Sequence, residues 1–136
     1  MSGIKQGVVL TAVVVVSAVL AGQDTGVKAS NGWVKMPGSG ETEAMAFATV
    51  ENAGMYEVNI TSATVDAAGK VELRDAGQTV SFINVPAYGR VDMSATGVHL
   101  MLVGLKRTLK AGDTVALTLS TDMDVRLNVT ATVRGQ

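Results

Sequence analysis

Cysteine is absent from this chain of 136 residues. Its absence excludes disulfides, thiolate zinc sites, iron–sulfur clusters and a cysteine nucleophile. An excess of charge of either sign is lacking as well, because 11 basic and 12 acidic side chains leave a formal net charge of −1. The sequence therefore has neither a basic patch nor an acidic tail, and nucleic acid is not an expected partner.

Catalytic motifs are also lacking. The chain has one histidine, His99, and no nucleophile motif surrounds Ser81 or Ser94, so the sequence does not indicate a Ser–His–acid triad. Asp122 and Asp124 form a D-M-D stretch without the further oxygen ligands of a calcium loop. We expect that the protein is not an enzyme.

The one long apolar run lies at the N-terminus. Residues 7–22 read GVVLTAVVVVSAVLAG after a single Lys5. A run of this length fits the apolar part of a secretory signal peptide and is short for a bilayer span. We expect residues 1–23 to be either a signal peptide or an uncleaved N-terminal membrane anchor. The following domain is then periplasmic or otherwise extracytoplasmic. The run also resembles a lipoprotein signal, with Gln23 where the lipidated cysteine would stand.

The rest of the chain has the period-two pattern of β-strands, rich in valine and threonine, and shows no helical stripe. Gly- and Asp-containing turn signals separate the apolar runs. Many short strands at close spacing predict one antiparallel sandwich or barrel, residues 24–136, without an internal repeat. The predicted strands are 27–36, 44–52, 57–65, 70–74, 79–85, 89–93, 98–103, 114–121 and 124–133.

The stretch GVHLMLVG at 97–104, which contains the predicted strand 98–103, holds His99 two positions before Met101. Residues two apart on a strand share a face, so these side chains project together while Leu100 and Leu102 project into the core. Imidazole and thioether are ligands that Cu(I) accepts, and a thioether, unlike a thiolate, survives an oxidising compartment. The alternative is an ordinary amphipathic strand, with a solvated histidine and a methionine that packs on a neighbouring loop.

The segment GVHLMLVGLKRTLKAGDTVALTL at 97–119 resembles the periplasmic copper chaperones called PCuAC. Shorter matches in the same order are NGWV at 31–34, AFATVENAG at 46–54, KVEL at 70–73 and INVPA at 83–87. The resemblance covers nearly all of the domain. It implies a Greek-key sandwich of the cupredoxin-like or immunoglobulin-like kind and a role in delivering Cu(I) to the copper centres of cytochrome oxidase.

The family site that the resemblance implies has two histidines and two methionines. His99 and Met101 match one pair and are the metal ligands that the resemblance predicts. The other histidine falls on Arg74, which is permanently charged and has no lone pair for a metal. The other methionine has no counterpart, because the loop at 75–79 is short. We therefore expect a weak site with half of the ligand set, close to a repelling arginine.

Other thioethers could complete such a site. The candidates are Met36, Met45, Met55 and Met93. Their alternative role is to fill irregular gaps in the core or loops, as methionine commonly does.

Two functions follow from these patterns. The first is an exported copper-binding protein, with His99 and Met101 completed by a partner or a second subunit. The second is a copper-free accessory or structural subunit that packs against a membrane protein complex, such as a copper oxidase or another respiratory assembly. In that case an uncleaved N-terminal segment would hold it at the membrane. An unrelated adhesive sandwich module is a third alternative.

Overall fold

The computed structural model describes residues 26–135, which form strands and loops without a helix. The predicted signal peptide or anchor at 1–23 lies outside the described residues. Within them the structure has no helix of the length and apolar character that a bilayer crossing requires. The ten strands are β1 (Val27–Lys35), β2 (Glu43–Asn52), β3 (Val58–Val65), β4 (Ala68–Asp75), β5 (Gln78–Thr79), β6 (Ile83–Val85), β7 (Gly89–Asp92), β8 (Val98–Leu105), β9 (Thr114–Thr121) and β10 (Arg126–Arg134).

The strands form one sheet in the order β5-β4-β8-β2-β1-β10-β9-β3-β6, with β7 also paired to β2. The sheet curls into a half-barrel, so β3 and β4 contact each other although they lie far apart in this order. The predicted all-β class is confirmed. One pair departs from the antiparallel expectation, because β1 and β10 run parallel. A parallel pair needs a long connection, and these two strands stand at opposite ends of the domain sequence.

The core fills the inside of the curl with the alternate residues that the period-two pattern predicts. On β9 and β10 the buried apolar side chains are those of Val115, Leu117, Leu119, Leu127, Ala131 and Val133. The side chains between them face outward and are mostly polar. Burial of one face therefore fixes the register of these strands, because a shift of one residue would expose the whole apolar set.

One predicted strand, 79–85, is interrupted in the structure. Its first part ends as β5, where the Val80 N–H donates to the Leu73 carbonyl at 2.9 Å. Its last part, β6, pairs instead with β3 at the other end of the sheet. Residues 80–82 thus carry the chain from one edge of the sheet to the other, which a continuous strand could not do.

A second interruption positions the site described below. β7 pairs with β2 along Thr49–Asn52, and β8 pairs with β2 along Glu43–Ala46. β7 and β8 therefore follow each other along the same side of β2. Between them residues 93–97 leave the sheet as a tight loop. The Ser94 N–H donates to the Val98 carbonyl at 3.0 Å, which closes this loop immediately before His99.

Candidate metal centre

The outer face of the sheet carries both residues of the predicted pair. His99 and Met101 lie on the face of β8 opposite to Leu100 and Leu102, which are 0% exposed in the core. The predicted sharing of a face is therefore confirmed. The histidine is not solvated, however, because only 1% of it is exposed. His99 projects from the outer face but does not reach water, because Phe47 and its neighbours cover the outer face at this point.

The His99 ring is held by one hydrogen bond that defines its free atom. Nδ1 lies 3.0 Å from the Gly97 carbonyl oxygen. A carbonyl only accepts, so Nδ1 carries the proton and the neutral ring keeps its lone pair on Nε2. Nε2 is buried and has no hydrogen-bond partner among the described residues. Such an orphaned buried atom requires an explanation, and an absent ion is one of the usual ones.

Aromatic rings cover His99 on the β2 side. The Phe47 ring centroid lies 6.1 Å from that of His99, and Trp33 packs on Phe47 with its centroid 4.5 Å away. The Arg134 guanidinium lies 5.2 Å from the Trp33 ring centroid, within cation–π range. Phe47 excludes water from one side of the imidazole. Although Phe47 lies on the outer face, it is only 2% exposed, because Trp33 packs on it.

Arg74 lies directly opposite His99 on β4, at the position where the family resemblance placed a histidine. Its guanidinium turns along its own strand, and Nη2 and Nε lie 2.5 and 3.1 Å from one carboxylate oxygen of Glu72. Lys70 Nζ lies 3.3 Å from the other oxygen. The hydrogen bond from Arg74, followed by that from Lys70, lowers the pKa of Glu72, so this carboxylate is ionised at neutral pH. The arginine charge beside the site is therefore paired.

Met101 has a second methionine as its neighbour, which the spacing of the sequence alone did not single out. Met45 on β2 is its direct cross-strand partner, and Glu72 is its partner on the β4 side. Both methionines are half-buried and line one open groove together with Met36. The alternation of β2 puts Met45 on the outer face, but only the pairing of β2 with β8 brings it to Met101.

The donors that lie together here are an imidazole and thioethers. Among residues 26–135 no group of three or more histidine, aspartate or glutamate side chains is placed to hold a metal ion. Soft thioether ligands select Cu(I), and imidazole suits copper as well. The residues present thus fit Cu(I) in their donor chemistry, with a histidine nitrogen already free of any competing hydrogen bond.

Solved structures with this fold define the class of domain. The chain superposes on the copper-bound PCuAC domain from PmoF2 with a TM-score of 0.75 and 22% identity, over 82% of this chain and 94% of that one. The apo PCuAC domain from PmoF1 gives a TM-score of 0.76 and 19% identity, over 82% and 95%. The Cu(I) form of DR1885 from Deinococcus radiodurans gives 0.68 and 28%, over 76% and 75%. The fold is that of a PCuAC domain, so the resemblance predicted from the sequence is confirmed.

The chain belongs to the LpqE-like family, whose model, described as "Putative lipoprotein LpqE-like", matches residues 27–133. A curated relative, "Putative lipoprotein Lxx21020" from Leifsonia xyli subsp. xyli, is 35% identical over 106 residues, or 71% of this chain. The match spans 63% of the length of that relative.

Proposed function

We propose that this protein is an exported Cu(I) carrier that holds the ion through His99 Nε2 and the Met101 thioether. The observation that carries the proposal is the buried, unpartnered Nε2 of His99. A buried polar atom without a partner costs about 1–3 kcal/mol, and a bound cation would remove that cost. The hydrogen bond from His99 Nδ1 to the Gly97 carbonyl also supports a metal at Nε2, because a metal-binding histidine usually donates its other N–H to a carbonyl or carboxylate.

The role of carrier follows from the chemistry of the donors. A thioether discriminates against hard ions such as Mg²⁺, so Met101 favours Cu(I). The resemblance to PCuAC chaperones supports delivery of this ion to a membrane protein complex such as a copper oxidase. The lipoprotein descriptions of the family and of the Leifsonia relative support an extracytoplasmic location, with the protein held at the membrane if residues 1–23 are not removed.

A copper-free accessory subunit is the second candidate function. The observation that favours it is Arg74, a permanently charged residue that is the direct strand partner of His99. Under this alternative the same sheet face would contact a membrane protein complex. Recovery of the full chain in detergent together with such a complex, without bound copper, would favour it over the carrier.

The test of the carrier is a competition titration of the protein against a chromogenic Cu(I) chelator under reducing conditions. We expect the wild type to take up one Cu(I) ion and His99→Phe, which keeps a ring of similar size, to bind at least about tenfold more weakly. Thermal unfolding of both proteins checks that the variant remains folded. Equal affinity of two folded proteins, or no uptake by the wild type, would contradict the proposal.

A further inference from the structure

We propose that Met45 is a third copper ligand, which completes a site of one nitrogen and two sulfur atoms with His99 and Met101. This inference rests on the proposed function. It assigns the missing thioether to β2 rather than to the short loop that follows β4. The ligand set thus lies on the β2 side of β8, and Arg74 lies on the β4 side.

The register of the sheet brings the two sulfur atoms together. Met45 and Met101 are direct partners in the antiparallel pair of β2 and β8. The Cβ atoms of such partners lie about 4.5–5.5 Å apart on one face. A methionine side chain rotates about three bonds beyond its backbone, so both thioethers can turn to one ion between them. Sequence spacing could not reveal this pair, because 56 positions separate the residues.

His99 occupies the third corner of the same arrangement. It stands two positions from Met101 on the same face, and so it is a diagonal neighbour of Met45 across the two strands. Diagonal neighbours lie about 7–8 Å apart between backbones, within the reach of long side chains. Its Nε2 is the unpartnered buried atom, whereas both methionines also reach the open groove. His99 does not line this groove, so the two thioethers would be the ligands that an entering ion meets first.

The electrostatics suit a monovalent ion at this position. Both thioethers are neutral and carry no proton, so neither has to be deprotonated when Cu(I) binds. Glu72 lies on the other side of Met101, and its pairing with Arg74 offsets the arginine charge that would otherwise oppose the ion. Glu43, two positions from Met45, adds a carboxylate at the edge of the groove.

The other methionines are placed less well for this role. Met93 is 9% exposed and lines a separate crevice with Trp33 and Phe47. Met55 is 64% exposed and lies beyond the far end of β2. Met36 lines the groove of Met45 and Met101, but it follows β1, which does not pair with β8, and its methyl group would lie 4.0 Å from a Cβ added to Gly135. Met45 alone among them is the strand partner of Met101.

The experiment compares the full chain with Met45→Leu, which keeps volume and removes the sulfur, and with Met123→Leu as the matched control. Met123 is 51% exposed in the turn after β9. Copper K-edge X-ray absorption counts the sulfur atoms bound to the ion, and the chelator titration measures affinity. We expect two sulfur atoms in the wild type and in Met123→Leu. Met45→Leu should retain one sulfur and bind at least about tenfold more weakly.

The outcomes separate the two proposals. If His99→Phe loses affinity while Met45→Leu keeps the sulfur count and affinity of the wild type, Met45 is not a ligand and the carrier function stands. If the wild type takes up no Cu(I), the proposed function and the third ligand both fall. A loss of affinity in Met45→Leu that equals the loss in Met123→Leu would also overturn the inference.

Discussion

At the scale of single residues, the site depends on what each nitrogen of one imidazole does. The Gly97 carbonyl accepts a hydrogen bond from Nδ1 of His99, and the neighbouring rings exclude water. Nε2 is therefore buried and without a partner among the described residues. The sequence could predict that His99 and Met101 share a face, because strand periodicity alone determines it. It could not predict the burial of His99, since this depends on the loop at 93–97 and on Phe47 from another strand.

Arg74 is the residue at which this chain departs most directly from the ligand set of the PCuAC family. Arg74→His would put a second imidazole directly opposite His99 and remove a permanent charge. We expect Cu(I) affinity to rise by about tenfold or more, equivalent to about 1.4 kcal/mol, in the chelator titration. Arg74→Gln is the control, because it removes the charge without supplying an imidazole. Binding by Arg74→His that is no tighter than by Arg74→Gln would show that the added ring is not a ligand.

At the scale of elements, strand pairing creates the relationships that spacing along the chain conceals. β9 was predicted with its observed bounds, 114–121, because turn signals and one-sided alternation mark it clearly. The strand predicted at 79–85 was wrong in its continuity, since β5 and β6 pair with opposite ends of the sheet. The proximity of Met45 and Met101 belongs to the same kind of information, because it depends on which strands become neighbours.

Another element-scale contact ties β3 to the turn between β9 and β10. The Asp122 carboxylate accepts the Asn59 backbone N–H at 3.0 Å and its side-chain amide at 2.9 Å. These bonds, the backbone one first, lower the pKa of Asp122 from 3.8. A lowered carboxyl pKa in the folded state stabilises the fold above the unfolded-state value, and this contribution is lost as the pH falls through the lowered pKa.

We therefore expect Asp122→Asn to melt at a lower temperature than the wild type at neutral pH. The difference should close as the pH falls below 3.8. Thermal unfolding followed by circular dichroism over a pH series measures it. Asp124→Asn in the same turn is the matched control, because asparagine tolerates the left-handed φ of 59° at that position. A difference between Asp122→Asn and wild type that is independent of pH would contradict the role of this carboxylate.

At the scale of the whole molecule, we propose that the two faces of the sheet separate stability from copper binding. The inner face builds the core, and the sequence predicted its class and most of its strands, because alternation and turn signals act locally. The family resemblance gave the correct fold and put Arg74 at the position of a family ligand, and the strand pairing places it opposite His99. It could not point to Met45 as the proposed third ligand, because this chain departs from the family pattern at that point and Met45 lies on another strand.

β8 allows this division to be tested with adjacent residues. Leu100→Ala should lower the free energy of unfolding by about 2–5 kcal/mol, because it leaves a cavity in the core. Met101→Leu conserves volume on the outer face and should cost less than about 1.5 kcal/mol, yet it should weaken Cu(I) binding. Chemical denaturation and the chelator titration of both variants measure the two properties. A Met101→Leu protein with unchanged affinity would contradict the division.

The proposed function depends on binding of the ion by Nε2 of His99, and the single histidine of the chain allows a direct measurement. Long-range ¹H–¹⁵N spectra of the protein, without an affinity tag, report both imidazole nitrogens. In the neutral ring of the copper-free protein, we predict that the proton is on Nδ1 and not on Nε2. Stoichiometric Cu(I) should shift the Nε2 resonance strongly while Nδ1 stays protonated. An Nε2 resonance that does not move, or a neutral ring with its proton on Nε2, would contradict binding through this atom.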